Sequence, residues 1–130
     1  MINLSKSEEQ LMGYIWKNKK SFLKELISFY PEPQPAKTTI ATLLKRMQKK
    51  GYVDYQLFGN SRQYFALIGR EDYFSIYFKE IISHHFNGSI PEFTLFLTKM
   101  LKLERNELNT LKKTIDKEVL LKRNKDAVFY

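Results

Sequence analysis

Apolar residues recur at helical spacing along most of the chain, and the runs break at proline, glycine and serine. Leu11, Met12, Ile15 and Trp16 form one stripe behind Ser5 and Glu8, which stand at capping-box spacing. This predicts a first helix to about Lys17, ended by the basic run Lys17-Asn18-Lys19-Lys20. Ser21 is placed to cap a second helix with Phe22, Leu23, Leu26, Ile27 and Tyr30 on one side. Pro31, Pro33 and Pro35 stop it and form a stiff connector, because proline fixes φ and lacks an amide donor. A third helix is expected from about Lys37 to Lys50, with Ile40, Leu43, Leu44 and Met47 at i, i+3, i+4 and i+7 and Gly51 as its left-handed end. The β-rich runs from Tyr52 to Phe58 and from Arg62 to Ile68, separated by Gly59-Asn60-Ser61, predict a hairpin. After Gly69 the helical pattern returns, from Glu71 to Phe86, from Ile90 to about Leu101 behind a Ser89/Glu92 cap, and from Glu104 to about Lys122.

The expected fold class is mainly α with a small β-hairpin. Three helices followed by a hairpin is the order of a winged helix-turn-helix, so residues 1–69 are expected to form a winged-helix DNA-binding domain and 70–130 a helical dimerisation domain. Opposite the apolar arc of the third helix lie Thr38, Thr42, Lys45 and Lys49, flanked by Ala41 and Arg46, and no acidic residue occurs from Lys37 to Lys50. A helix with such a face fits the major groove of duplex DNA. Thr38, Thr39, Ala41 and Thr42 are short enough to approach base edges, whereas Lys45, Arg46 and Lys49 can pair with phosphates or guanine. Asn60, Ser61 and Arg62 at the hairpin tip supply donors for the backbone. An ordinary solvated face would also carry lysines, but it would not be acid-free, threonine-led and followed by a hairpin.

Charge supports the same partner. The chain of 130 residues has 22 Lys and Arg against 14 Asp and Glu, a formal net charge of +8. Residues 1–69 hold +6 of it, so the basic surface is mostly N-terminal. Basicity alone also fits an acidic protein partner, which would make the chain a winged-helix interaction adaptor, or an anionic membrane surface engaged by aromatic helices. No stretch approaches the roughly 20 apolar residues that span a bilayer, and the N-terminus lacks the order of a secretory signal; a cytoplasmic location is expected, with no membrane partner.

The second half carries more apolar surface than short helices can hide alone. Phe74, Phe78, Phe86, Phe93, Phe96 and Phe129 call for a symmetric partner, and a dimer reading DNA requires a palindromic operator. The candidate dimerisation residues are Phe86, Phe93, Phe96, Leu97 and Leu101, with Leu108, Leu111 and Ile115 from the last helix.

Catalytic chemistry finds little support. There is no cysteine, and His84 and His85, the two histidines, point about 100° apart on a helix, so neither a catalytic nor a metal site is expected and no cofactor is implied. Glu8 and Glu9 sit in a first helical turn, where the helix dipole favours carboxylates. Gly59-Asn60-Ser61 is too short to cradle a phosphate group.

The segment from Leu4 to Trp16, in which an acidic residue precedes an apolar-Met pair (Leu11-Met12) and then an apolar-Trp pair (Ile15-Trp16), resembles the opening helix of the penicillinase-repressor family of bacterial transcription factors. Thr38 to Val53 looks like that family's recognition helix and entry into the wing, and a weaker likeness continues to about Ile115. The resemblance implies a homodimeric repressor of transcription on a palindromic operator, and a regulatory protease as a further partner. Two departures qualify it. Copper-sensing members carry a cysteine cluster that this chain lacks. The Asn-Phe bond cleaved in β-lactam-responsive members is matched here by Phe96-Leu97, which puts cleavage at that bond in question and leaves other bonds open.

Overall fold

A computed structural model describes residues 2–127. The first helix, α1 (Lys6–Asn18), starts as its sequence dictates: Ser5 Oγ accepts from the Glu8 amide at 3.2 Å, and the Glu8 carboxylate accepts from the Ser5 amide at 2.8 Å. It ends at Lys19, whose φ of 65° turns the chain into a short strand, β1 (Lys20–Phe22). Ser21 therefore does not cap the second helix. It is a buried strand residue paired opposite Tyr64, and α2 (Leu23–Ser28) starts instead with the Glu25 carboxylate accepting from the Phe22 amide at 2.8 Å.

The proline connector leads to α3 (Lys37–Lys49), and Gly51, at φ 87°, supplies the left-handed turn that releases the chain into β2 (Val53–Phe58). The hairpin closes on a two-residue turn, Gly59-Asn60, with Gly59 at φ 61°, so Ser61 already belongs to β3 (Ser61–Ala66). The expected hairpin is thus part of a three-stranded antiparallel sheet in the order β1-β3-β2. Register runs from Val53 opposite Ala66 to Phe58 opposite Ser61, and from Lys20 opposite Phe65 to Phe22 opposite Gln63. Strand β1 covers the edge that a lone hairpin would leave open.

The remaining helices are α4 (Arg70–His85), α5 (Ile90–Met100), on whose cap Ser89 Oγ accepts from the Glu92 amide at 3.1 Å, and α6 (Arg105–Ala127). The architecture is a winged helix followed by C-terminal helices. Leu11, Met12 and Ile15 of α1, Leu26 of α2 and all four predicted positions of α3 are buried together with Tyr52, Val53 and Tyr64. Tyr73 completes this core: its ring centroid is 5.2 Å from that of Trp16 and 6.0 Å from that of Tyr52.

The division expected after Gly69 falls at the start of α4, whereas close packing carries the first compact unit through Ile81 and the second begins at Ile82. In the second unit the rings of Phe86, Phe93 and Phe96 meet at 5.0–5.1 Å. None of its described residues is buried. Phe129 lies outside the described residues.

Candidate nucleic-acid interface

The burial of Ile40, Leu43, Leu44 and Met47 fixes the rotation of α3, and the opposite face follows from it. Thr38, Thr39, Ala41, Thr42, Lys45, Arg46 and Lys49 are all exposed. Thr42 Oγ1 donates back to the Thr38 carbonyl at 2.8 Å, so its hydroxyl proton is used within the helix while its lone pairs and methyl group remain available to a ligand. Arg46 and Lys49 occupy the last turn, where the helix dipole favours cations.

The rear of α3 is anchored by an ion pair between elements. Lys50 Nζ donates to Glu8 Oε1 at 2.7 Å and to the Asn3 carbonyl at 2.9 Å. Tyr52 donates its hydroxyl proton to Asn3 Oδ1 at 2.9 Å. The C-terminal end of α3 and the entry to the wing are thereby tied to the start of α1. Burial pushes the Glu8 carboxyl up, but the Lys50 ammonium and the Ser5 amide and hydroxyl outweigh it and leave the group below its ordinary range.

At the wing tip Asn60, Ser61 and Arg62 are exposed. The Arg62 guanidinium lies 4.3 Å from the Tyr55 ring centroid, and a hydrogen bond with Tyr64 together with Tyr55 holds its pKa above the usual arginine value. Between the wing tip and the helices opens a cleft of about 630 Å³. It brings Ala41, Asn60, Ser61 and Arg62 together with Lys24 and Lys37, two cations the sequence reading did not include, and no carboxylate lines it. Lys24 was hidden because the direction of α2 depends on β1, which three residues cannot announce.

The candidate dimerisation residues fall into two groups. Leu97, Leu101, Leu108, Leu111 and Ile115 are exposed along one groove between α5 and α6, while Phe86, Phe93 and Phe96 form the aromatic cluster. Among the described residues no group of three or more His, Asp or Glu side chains is gathered as a metal site, and no helix is long and apolar enough to cross a membrane.

A family model described as penicillinase repressor matches residues 4–117. The chain belongs to the penicillinase-repressor family. Curated relatives named methicillin resistance regulatory protein MecI, from Staphylococcus aureus (strain N315), Staphylococcus epidermidis and Mammaliicoccus sciuri, are each 24% identical over 116 residues, covering 88% of this chain and 94% of the relative. The penicillinase repressors are regulators of transcription rather than enzymes, and membership makes this chain a transcriptional repressor. The motifs at α1 and at the α3-to-wing junction, on which the resemblance first rested, lie inside the matched span.

Proposed function

We propose that this penicillinase-repressor family member binds duplex DNA as a homodimer on a palindromic operator, inserting α3 into the major groove and resting the wing on the adjacent backbone. The observation that carries the reading is the exposed face of α3: Thr38, Thr42, Lys45, Arg46 and Lys49 point outward, with no acidic residue anywhere on the helix. Lys24, Lys37 and Arg62 around the neighbouring cleft extend the positive surface toward the wing. Phosphate contacts by Lys45, Lys49 and Arg62 supply affinity, and Thr38 and Thr42 supply discrimination. Transcription is repressed by occlusion of a promoter and resumes when dimerisation is weakened.

The homodimer is supported by the second unit, whose described residues include none that is buried in a single copy. An apolar groove left open on α5 and α6 is what an isologous partner covers.

Titration of operator and random DNA tests the assignment. Lys49→Ala should weaken binding to all sequences alike and flatten the salt dependence by about 0.9 in the log–log slope for one phosphate, whereas Thr42→Ala should mainly relax sequence preference. Indistinguishable profiles for the two variants would defeat it. Phe96→Asp or Leu111→Asp should yield monomers in sedimentation and lose operator affinity far more than non-specific affinity; an intact dimer places the interface elsewhere.

A further inference from the structure

Along α1, at the margin of the core, runs a feature that the DNA-binding face does not use. Lys6, Glu9, Gln10, Gly13, Trp16 and Lys17 form one stripe along α1 and, with Gly69, Arg70 and Phe74, enclose an open groove of about 1020 Å³. From Lys6 to Lys17 it runs about 16 Å along the helix, three turns. Trp16 and Phe74, with ring centroids 5.8 Å apart, give it an apolar wall, and the Arg70 guanidinium lies 5.5 Å from the Phe74 ring centroid.

Two observations say what fits there. The first is charge. Three cations, Lys6, Lys17 and Arg70, face a single carboxylate, Glu9, and that carboxylate already accepts the Tyr73 hydroxyl proton at 2.7 Å. Among the described residues none of the three cations is ion-paired. The second is Gly13. Glycine inside a helix is unfavourable relative to alanine, yet a Cβ built at Gly13 would meet nothing within 4 Å, so the fold itself gives no reason for its absence. Its effect is to keep the middle of the stripe low between the two cationic ends.

We infer that this groove between α1 and the start of α4 is a docking surface for an acidic segment of another protein that carries large apolar side chains. Apolar anchors lie on Trp16 and Phe74 over Gly13, and carboxylates meet Lys6, Lys17 and Arg70, the pattern of a helix or peptide laid into a groove. The surface shares no residue with the α3 face or the wing cleft, so it is compatible with simultaneous DNA binding and does not depend on the function proposed above.

Trp16 is the only tryptophan, so its emission reports occupancy directly. The full chain is titrated with three synthetic helical peptides of about twelve residues, matched to the groove length: one with Leu and Phe at i, i+3, i+4 and i+7 and Glu at the flanking positions, one with Lys in place of Glu, and one with Ser in place of Leu and Phe. The first alone should bind, shift Trp16 emission and weaken with added salt. Lys6→Glu and Arg70→Glu should each reduce its affinity about tenfold. Both place a carboxylate in a first helical turn, so neither is expected to unfold the chain. Gly13→Gln should raise the urea midpoint while abolishing binding, a combination that a purely structural role cannot produce. Equal binding of all three peptides, undiminished binding by the Lys6→Glu/Arg70→Glu double variant, or displacement of the peptide by duplex DNA would overturn the inference.

Discussion

Removing the Lys50 ammonium is expected to destabilise the winged helix far more than its position on the surface of α3 suggests. The Glu8 side chain is 2% exposed, whereas Lys50 is 29% exposed. Two unit charges at contact distance interact by several kcal/mol at an effective dielectric constant of about 20. A fully buried pair broken on one side costs about 3–5 kcal/mol, because the orphaned charge stays in a poor solvent. Water reaches Lys50, and a truncated side chain admits some of it to Glu8, so Lys50→Ala should cost about 2–3 kcal/mol. With a urea m-value of about 1–1.5 kcal/mol/M for a domain of this size, the midpoint should fall by about 2 M. The Asn3 carbonyl loses a donor at the same time, which loosens the segment before α1.

The reasoning is checked by a double-mutant cycle. Glu8→Gln keeps an acceptor for the Ser5 amide without a buried charge, so in the Lys50→Ala background it should restore stability rather than subtract from it. Additive losses, with coupling below about 0.5 kcal/mol, would show that the ion pair does not act as argued. Acid supplies a second check. Because the native Glu8 carboxyl is held below its ordinary range, its stabilisation is present above that range and disappears as pH falls through the native value. Protonated Glu8 has no need of Lys50, so the deficit of Lys50→Ala should be largest near neutrality and shrink below about pH 4.

Alkali should act through two tyrosines. Burial, with Tyr14 nearby, pushes Tyr30 up to about 12, and burial together with the hydrogen bond to Glu9 pushes Tyr73 above the normal tyrosine range. Burial penalises the ionised form of both, so folding becomes less favourable as pH rises from about 10 through the native values; tyrosinate absorbance should show a late fraction that appears only with unfolding, and an independent, earlier titration of all tyrosines would contradict it. Gly59→Ala should cost about 1 kcal/mol through its positive φ and, because the strain falls on the wing, should weaken DNA binding more than the same cost elsewhere; equal effects in urea denaturation and DNA titration would separate the wing from the interface.

What could be read from the sequence and what could not divide along a physical line. Local signals were legible: the Ser5/Glu8 box, the i, i+3, i+4, i+7 register of α3 and its Gly51 exit all depend on residues within a turn or two of one another. Because that register fixes the buried side, the outward face of α3 was legible as well. Features that depend on distant partners were not. Strand β1 is three residues whose only reason to be extended is β3, more than forty residues away, and Ser21 accordingly looked like a cap. Lys50 was visible only as the end of the expected third helix, because nothing near it in sequence names Glu8 as its partner. Tyr73 was grouped with the C-terminal helices, although its ring fills a space made by Trp16 and Tyr52. The α5 and α6 residues show the converse: their apolar spacing is local and was seen, but spacing records only that a helix face requires cover. Burial in one copy would have settled the matter within the chain. Leu97, Leu108 and Leu111 stay exposed among the described residues, so they mark the face that the proposed dimer would cover, and sedimentation rather than folding measurements on a single copy tests it.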